Sequence, residues 1–241
     1  MRIKIILSFI LLCFTGLISA QPITPAISFN DDPDSYNMHI ASDGNFYYTV
    51  NGGVPEQGKI SKFTLQGQRL QTYPIKLDMR SIMYNKKDKS LYINTNTKEI
   101  YKVIDLASGT IELLYQANYD NEQSALALDP RGKYLYAMDN GKLAVYKFSS
   151  GEPERVISGL KCGDGSKKGS TTVAVDNKYI YTWDATKKTI YVYDLEGIFV
   201  RSYVVKDGDF GYSLSIANDL VFVAKSVKDR TGTWYGYMLA P

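Results

Sequence analysis

Cysteine and histidine are nearly missing from this sequence, which has two cysteines and one histidine in 241 residues. Cys13 lies in the N-terminal apolar segment described below, so Cys162 would stand alone in a processed chain, and an intramolecular disulfide is excluded. A single histidine, His39, cannot supply an H-E-x-x-H zinc motif, and a G-x-S-x-G segment is also missing. His39 is therefore interpreted as an interior or edge histidine of a strand.

An excess of charge of either sign is also missing. The chain has 28 Lys and Arg against 25 Asp and Glu, a net charge of +3. Without Arg2 and Lys4 the net charge would be +1. A nearly neutral surface gives no physical reason to expect nucleic acid or an anionic membrane as a partner. After residue 20 no apolar run is long enough to span a bilayer.

The N-terminal segment has the pattern of a secretory signal peptide. Arg2 and Lys4 precede an apolar run over residues 5–18, which ends in the small residue Ala20. An uncleaved membrane anchor is the alternative, but the run is shorter than a full span requires. We therefore expect residues 1–20 to be a signal peptide and residues 21–241 to form a single domain. The expected destination is the periplasm or the extracellular space.

Aromatic residues are abundant, with 20 tyrosines, nine phenylalanines and two tryptophans. Such residues favour strands, and few segments show a helical period, so the composition predicts an all-β fold. One aromatic position recurs at nearly constant steps of 44, 44, 45 and 41 residues: Tyr48, Tyr92, Tyr136, Tyr181 and Phe222.

Each recurrence lies in a unit of four short β-rich runs. The fourth unit contains "TTVAVD" from Thr171, "YIYTWD" from Tyr179, "TIYVYDL" from Thr189 and "FVRSYVV" from Phe199. Four short strands with tight turns, repeated about every 44 residues, describe a β-propeller blade. The first run of each unit carries small residues, which suits the crowding near a propeller axis. A β-sandwich is the alternative, but a sandwich does not require a four-strand unit at constant spacing.

Five units account for residues 21–241. The last unit ends at residues 235–241 without a fourth strand, and residues 22–29 can supply it. The prediction is a propeller of about five four-stranded blades, with the ring closed by the N-terminal strand. A six-bladed ring is the alternative, and it would need about 40 additional residues.

Two units resemble known propeller repeats. Residues 179–203 are similar to an NHL-type repeat, with an aromatic strand ending in Asp184 and then a "V-Y-D-x-x-G" element. Residues 129–148, "DPRGKYLYAMDNGKLAVYKF", resemble NHL, YVTN and WD40-like repeats. The resemblance implies a propeller scaffold. Such scaffolds carry enzymes, ligand binders and interaction modules, so the resemblance does not choose among functions.

The first functional hypothesis is a non-enzymatic binding module without a cofactor. Its ligand would be a protein, a glycan or a small molecule, bound by loops that lead into the innermost strands and loops that link second to third strands. Trp183 belongs to this surface only if it faces outward, and the alternative is a place in the core between blades. The glycine-rich stretch 159–170 lacks the spacing and following helix of a phosphate-binding loop. The candidate residues are Arg80, Gln123, Tyr212, Trp183, Lys161, Lys167 and Lys168.

The second hypothesis is a calcium-dependent lactonase or esterase, because the chain resembles six-bladed propellers with that activity. Their ligand set does not transfer, since the positions expected to ring the axis include Arg80 and no carboxylate. Carboxylates from the loops before the innermost strands are the remaining candidates: Asp78, Asp120, Asp207 and Asp209. The acidic stretch 30–37 is interpreted as a solvated turn. A third possibility is a structural part of a larger envelope assembly.

Overall fold

A computed structural model describes residues 22–31, 36–165, 168–225 and 232–239. The predicted signal peptide and Lys167 lie outside these residues. The described chain forms five four-stranded antiparallel sheets arranged as a ring of blades. The prediction of an all-β, five-bladed propeller is confirmed, and the six-bladed alternative is wrong.

The strands follow the predicted order of four runs per unit. A short 3-10 helix, Pro55–Gln57, interrupts the connection between the second and third strands of the first blade. The strands are β1 (Ile27–Asp31), β2 (Tyr36–Ser42), β3 (Phe46–Gly52), β4 (Lys59–Thr64), β5 (Arg69–Pro74), β6 (Met79–Asn85), β7 (Ser90–Thr95), β8 (Glu99–Asp105), β9 (Thr110–Gln116), β10 (Ala127–Leu128), β11 (Tyr134–Asp139), β12 (Lys142–Lys147), β13 (Pro153–Ile157), β14 (Val173–Val175), β15 (Tyr179–Asp184), β16 (Thr189–Asp194), β17 (Phe199–Val204), β18 (Ser215–Ala217), β19 (Leu220–Lys225) and β20 (Gly232–Tyr237).

Blades 1 to 4 are continuous in sequence, each starting with its innermost strand: β2–β5, β6–β9, β10–β13 and β14–β17. Blade 5 has the order β1-β20-β19-β18, so its outermost strand comes from the other end of the described chain. Phe29 of β1 lies opposite Trp234 of β20 and contacts the rings of Tyr47, Phe63 and Phe222. This pairing confirms the predicted closure of the ring.

The repeated aromatic position lies on the second strand of every blade and is buried. In three blades its cross-strand neighbour on the innermost strand is alanine: Ala41 opposite Tyr48, Ala127 opposite Tyr136, and Ala174 opposite Tyr181. Large side chains therefore fill the wider space away from the axis, while small ones occupy the crowded centre.

The innermost strands of blades 3 to 5 are shorter than their β-rich runs predict. β10 has two residues, and β14 and β18 have three each. In blade 3 the preceding residues pair with another blade instead, because Ala125 forms a parallel bridge with Thr172 of blade 4. Close approach of the blades at the axis thus replaces part of the pairing within a blade.

Candidate functional site

A cavity of about 410 Å³ lies on the axis, at the end of the ring where the innermost strands finish. We call this the open end. All five blades contribute to the cavity, which is lined near the axis by Ala41, Met83, Ala127, Ala174 and Ala217. The small size of four of these five side chains explains why space remains at the centre.

A ring of hydrogen bonds joins all five innermost segments at the level next to this cavity. Each pair of adjacent blades contributes one bond, in which a hydroxyl, the imidazole or a backbone group bridges the gap. The bonds are His39 Nδ1 to the Ile82 carbonyl at 2.9 Å, Leu126 N–H to Ser81 Oγ at 3.3 Å, Ala125 N–H to the Thr171 carbonyl at 2.9 Å, Thr172 Oγ1 to the Leu214 carbonyl at 3.2 Å, and Ile40 N–H to Ser215 Oγ at 3.3 Å.

His39 belongs both to this ring and to the cavity wall. Because the Ile82 carbonyl can only accept, Nδ1 carries the proton of the neutral ring. Nε2 is buried and has no hydrogen-bond partner among the described residues. Burial lowers the pKa of His39 to about 4, against a smaller opposing effect of the bond to Ile82. The imidazole is therefore neutral at neutral pH, as the interpretation of an interior histidine requires.

The rim of the open end is built from the turns that join first to second strands. In two rim carboxylates, both oxygens accept hydrogen bonds from the same turn or from the strand that follows it. Asp43 accepts the backbone N–H groups of Asn45 and Phe46 and the phenol of Tyr48 at 2.9 Å. Asp176 repeats the pattern, with its second oxygen accepting the phenol of Tyr181 at 2.7 Å. Burial, and then the neighbouring carboxylate, raises the pKa of both phenols, which keeps them protonated as donors.

The other rim charges have no such partners. Lys86 and Lys89 come from the turn of blade 2, and Asp219 comes from the turn of blade 5. All three side chains are exposed. None of them forms a hydrogen bond or an ion pair within the described part of the chain.

The opposite end of the axis, where the innermost strands begin, we call the buried end. Arg80 is 7% exposed, and it donates to Asp78 at 3.1 Å and contacts Met38 Sδ at 4.0 Å. Asp78 also accepts the Gly53 N–H at 2.6 Å. Three further polar atoms there, Arg80 Nε, Ser170 Oγ and Thr171 Oγ1, are buried without hydrogen-bond partners among residues 22–31, 36–165, 168–225 and 232–239.

The predicted binding residues Gln123 and Tyr212 lie, like Arg80, where the chain leads into the innermost strands at the buried end. Gln123 and Tyr212 are half-buried, and the ring of Tyr212 lies 5.3 Å from Phe210, which stacks on exposed Tyr36. Trp183 is fully buried and its indole donates to the Phe210 carbonyl. Of the two positions that the sequence left open for Trp183, the structure shows the core between blades.

The predicted lysine loop covers the end of β15. Lys161 is exposed, and its ammonium lies 4.9 Å from the ring centre of Phe199. Lys168 pairs with Asp164 at 2.9 Å. Lys161 and Lys168 therefore interact with neighbouring side chains of the surface, away from the axial cavity.

The alternative calcium ligands are not brought together. Asp78 is paired with buried Arg80, and Asp120 is paired with Lys142 at 2.8 Å on the surface. Asp207 is half-buried and Asp209 is exposed. Across the described residues, no three Asp, Glu, His or Cys side chains lie close enough to hold a metal ion.

Sequence reasoning missed the open end because it selected the loops that precede the innermost strands. The turns that follow these strands carry the charged rim residues Lys86, Lys89 and Asp219. A usable signal was present. Asp43 and Asp176 each have a tyrosine five residues later, whereas Asp219 has Ala224 at that position.

Solved structures that resemble this chain include the following two. Glutaminyl cyclase of Myxococcus xanthus is 10% identical, with a TM-score of 0.63, covering 90% of this chain and 98% of that one. BamB of Moraxella catarrhalis is 12% identical, with a TM-score of 0.42, covering 86% of this chain and 61% of that one.

Neither a protein-family model nor a curated protein sequence matches the chain. Within the described residues, no helix has the length and apolar character needed to cross a bilayer. The five four-stranded blades, together with the similarity to a solved structure over almost the whole of both chains, show a five-bladed β-propeller fold.

Proposed function

We propose that this protein is an exported binding module that holds a small molecule in the axial cavity of the open end. The observation that carries the proposal is the cavity itself, because its volume of about 410 Å³ lies within the range of small-molecule sites. Its apolar centre can contact the body of a small molecule, and its charged rim supplies groups that can orient that molecule.

Binding without catalysis is supported by the chemistry of the cavity wall. His39 is the one histidine of the chain, and its lowered pKa and buried Nε2 make it a poor proton donor or acceptor for a bound molecule. Asp43 and Asp176 have both oxygens bonded within their turns. Asp219 is the remaining carboxylate of the lining, and among the described residues no histidine other than His39 and no second unbonded carboxylate lines the cavity to complete an acid and base pair.

The test is a ligand-observed NMR screen of a fragment set below about 300 Da, a size chosen for pockets of this class. Asn177→Trp places a large side chain on the cavity rim, while Asn45→Trp makes the same change at an exposed turn residue that does not line the cavity. Fragments should bind the natural protein and Asn45→Trp, and Asn177→Trp should abolish binding. Equal binding to all three proteins would exclude the cavity as the site.

The screen also tests the absence of catalysis, because the similar propeller from Myxococcus xanthus is a glutaminyl cyclase. New resonances from a converted fragment, lost in Asn177→Trp, would overturn the non-enzymatic part of the proposal.

Calcium titration followed by thermal unfolding tests the hydrolase alternative, since saturable stabilisation would support it. Export predicts that the mature protein begins at Gln21, which N-terminal sequencing of the protein from its native host would show.

A further inference from the structure

The charges on the rim of the open end fall into two groups. Asp43 and Asp176 already accept hydrogen bonds from backbone N–H groups and a tyrosine, so their geometry is explained by the turns they stabilise. Lys86, Lys89 and Asp219 have no partner in the described part of the chain, although all three line the cavity. The turns that carry Lys86, Lys89 and Asp219 do not use these charges for their own hydrogen bonds.

The three free charges lie on different sides of the mouth. Lys86 and Lys89 follow β6 in blade 2, and Asp219 precedes β19 in blade 5. Hydrogen bonds at the axis show that blade 1 lies between these two blades. Blades 2 and 5 are therefore two positions apart, the largest separation that a ring of five allows. The rim thus carries a positive side in blade 2 and a free negative charge across the mouth.

The remaining rim charges reinforce this polarity. Asp43 of blade 1 and Asp176 of blade 4 flank Asp219 of blade 5, so the acidic side chains of the rim lie together. Opposite charges on two sides of one mouth attract a molecule with opposite charges at its two ends, and they orient it. A purely anionic or purely cationic molecule would be attracted by one side and repelled by the other.

We infer that the cavity binds a zwitterionic small molecule, with its anionic group at Lys86 and Lys89 and its cationic group at Asp219. This inference rests on the proposed binding function and adds the class of ligand to it. Exposed charges at a rim select and orient a ligand more than they add affinity. The expected result is therefore a difference in binding between the charged form of a molecule and forms of the same molecule with one charge removed.

The probes are alanine and its linear oligomers up to tetra-alanine, each free, N-acetylated, C-amidated and with both ends blocked. The length series tests the spacing between the two charges, and the blocked forms remove one charge at a time. Isothermal titration should show that one free oligomer binds about tenfold more tightly than either singly blocked form. Raising the salt concentration should reduce this preference.

Variants that remove rim charges show which residues bind the carboxylate of the ligand and which bind its amine. Lys86→Gln with Lys89→Gln should abolish the preference for a free carboxylate and leave the preference for a free amine. Asp219→Asn should do the reverse, and asparagine tolerates the positive φ of 62° at this position. Lys87→Gln is the matched control, because Lys87 is exposed in the same turn but does not line the cavity.

The inference is overturned if no free oligomer binds better than its doubly blocked form, or if Lys87→Gln changes binding as much as the rim variants do. The proposed function fails separately, if Asn177→Trp leaves all fragment binding unchanged. Neutral fragments that bind the natural protein but not Asn177→Trp, together with an absence of preference for zwitterions, would retain the cavity as a binding site and reject this ligand class.

Discussion

The charged side chains at the two ends of the propeller axis differ in their burial and in their pairing. At the buried end, the ion pair of Arg80 and Asp78 has side chains only 9% and 7% exposed. At the open end, Lys86, Lys89 and Asp219 are exposed and have no partner within the described residues. Loss of one partner of a buried pair leaves an uncompensated charge and costs much stability, whereas exposed and unpaired charges contribute little to folding. Substitutions at the two ends should therefore affect different measurements.

The largest effect is expected from Arg80→Met. Removal of the guanidinium leaves the buried carboxylate of Asp78 without its cation, which should lower the free energy of unfolding by about 4 kcal/mol. Urea denaturation measures the loss. Adding Asp78→Asn should recover most of it, because the amide oxygen can still accept the Gly53 N–H while no buried charge remains. If the double variant is as unstable as Arg80→Met alone, the ion pair is not the cause.

His39, in the wall of the open end, should make stability depend on pH. Its pKa is about 4 in the folded protein against 6.5 for an unperturbed histidine, so the unfolded chain binds the proton first as the pH falls. Stability should be unaffected above pH 6.5 and decrease by up to about 3 kcal/mol as the pH falls from about 6.5 to about 4.

His39→Asn is the comparison for this measurement, since its amide N–H can replace Nδ1–H toward the Ile82 carbonyl. Urea denaturation between pH 7 and pH 5 should show a smaller loss of stability for the variant. No other histidine is present in the chain, and ordinary carboxylates titrate mainly below this interval. Parallel curves for the two proteins would contradict the assignment.

The ring of hydrogen bonds between the two ends should contribute a moderate amount. Thr172→Val keeps the shape of the side chain and removes the bond to the Leu214 carbonyl, so we expect a loss of about 1 kcal/mol in the free energy of unfolding. Thr110→Val on an outer strand is exposed and should change stability by less than about 0.5 kcal/mol. Equal losses for both variants would show that the ring bond is not special.

The smallest effect on stability is expected at the open rim. Lys86→Gln combined with Lys89→Gln should change the free energy of unfolding by less than about 0.5 kcal/mol, because neither ammonium has a partner in the described chain. The same variant should change the discrimination between charged ligands about tenfold. Calorimetry on one protein preparation gives both numbers. A large loss of stability would remove the contrast between the two ends.

Local patterns were enough to predict the fold but not the site. The recurring aromatic position predicted the blades, because it reflects a requirement that every blade shares, a large side chain opposite a small one such as Ala174. The cavity depends instead on how closely five separate strands approach the axis, and spacing in one strand does not report this distance. The sequence does distinguish Asp43 from Asp219, because Asp43 has a tyrosine five residues later that can bond its carboxylate and Asp219 has Ala224 there.

The pairing of β1 with β20 has a mechanical consequence. Ile27, at the start of β1, lies opposite Gly236, near the end of β20, so the two strands lead away from the blade at the same corner. Tension applied between Ile27 and Tyr237 would therefore peel this ladder apart one bond at a time instead of shearing all its bonds together. The pairing of β1 with β20 in blade 5 should therefore separate first, at low force, while blades 1 to 4 remain folded.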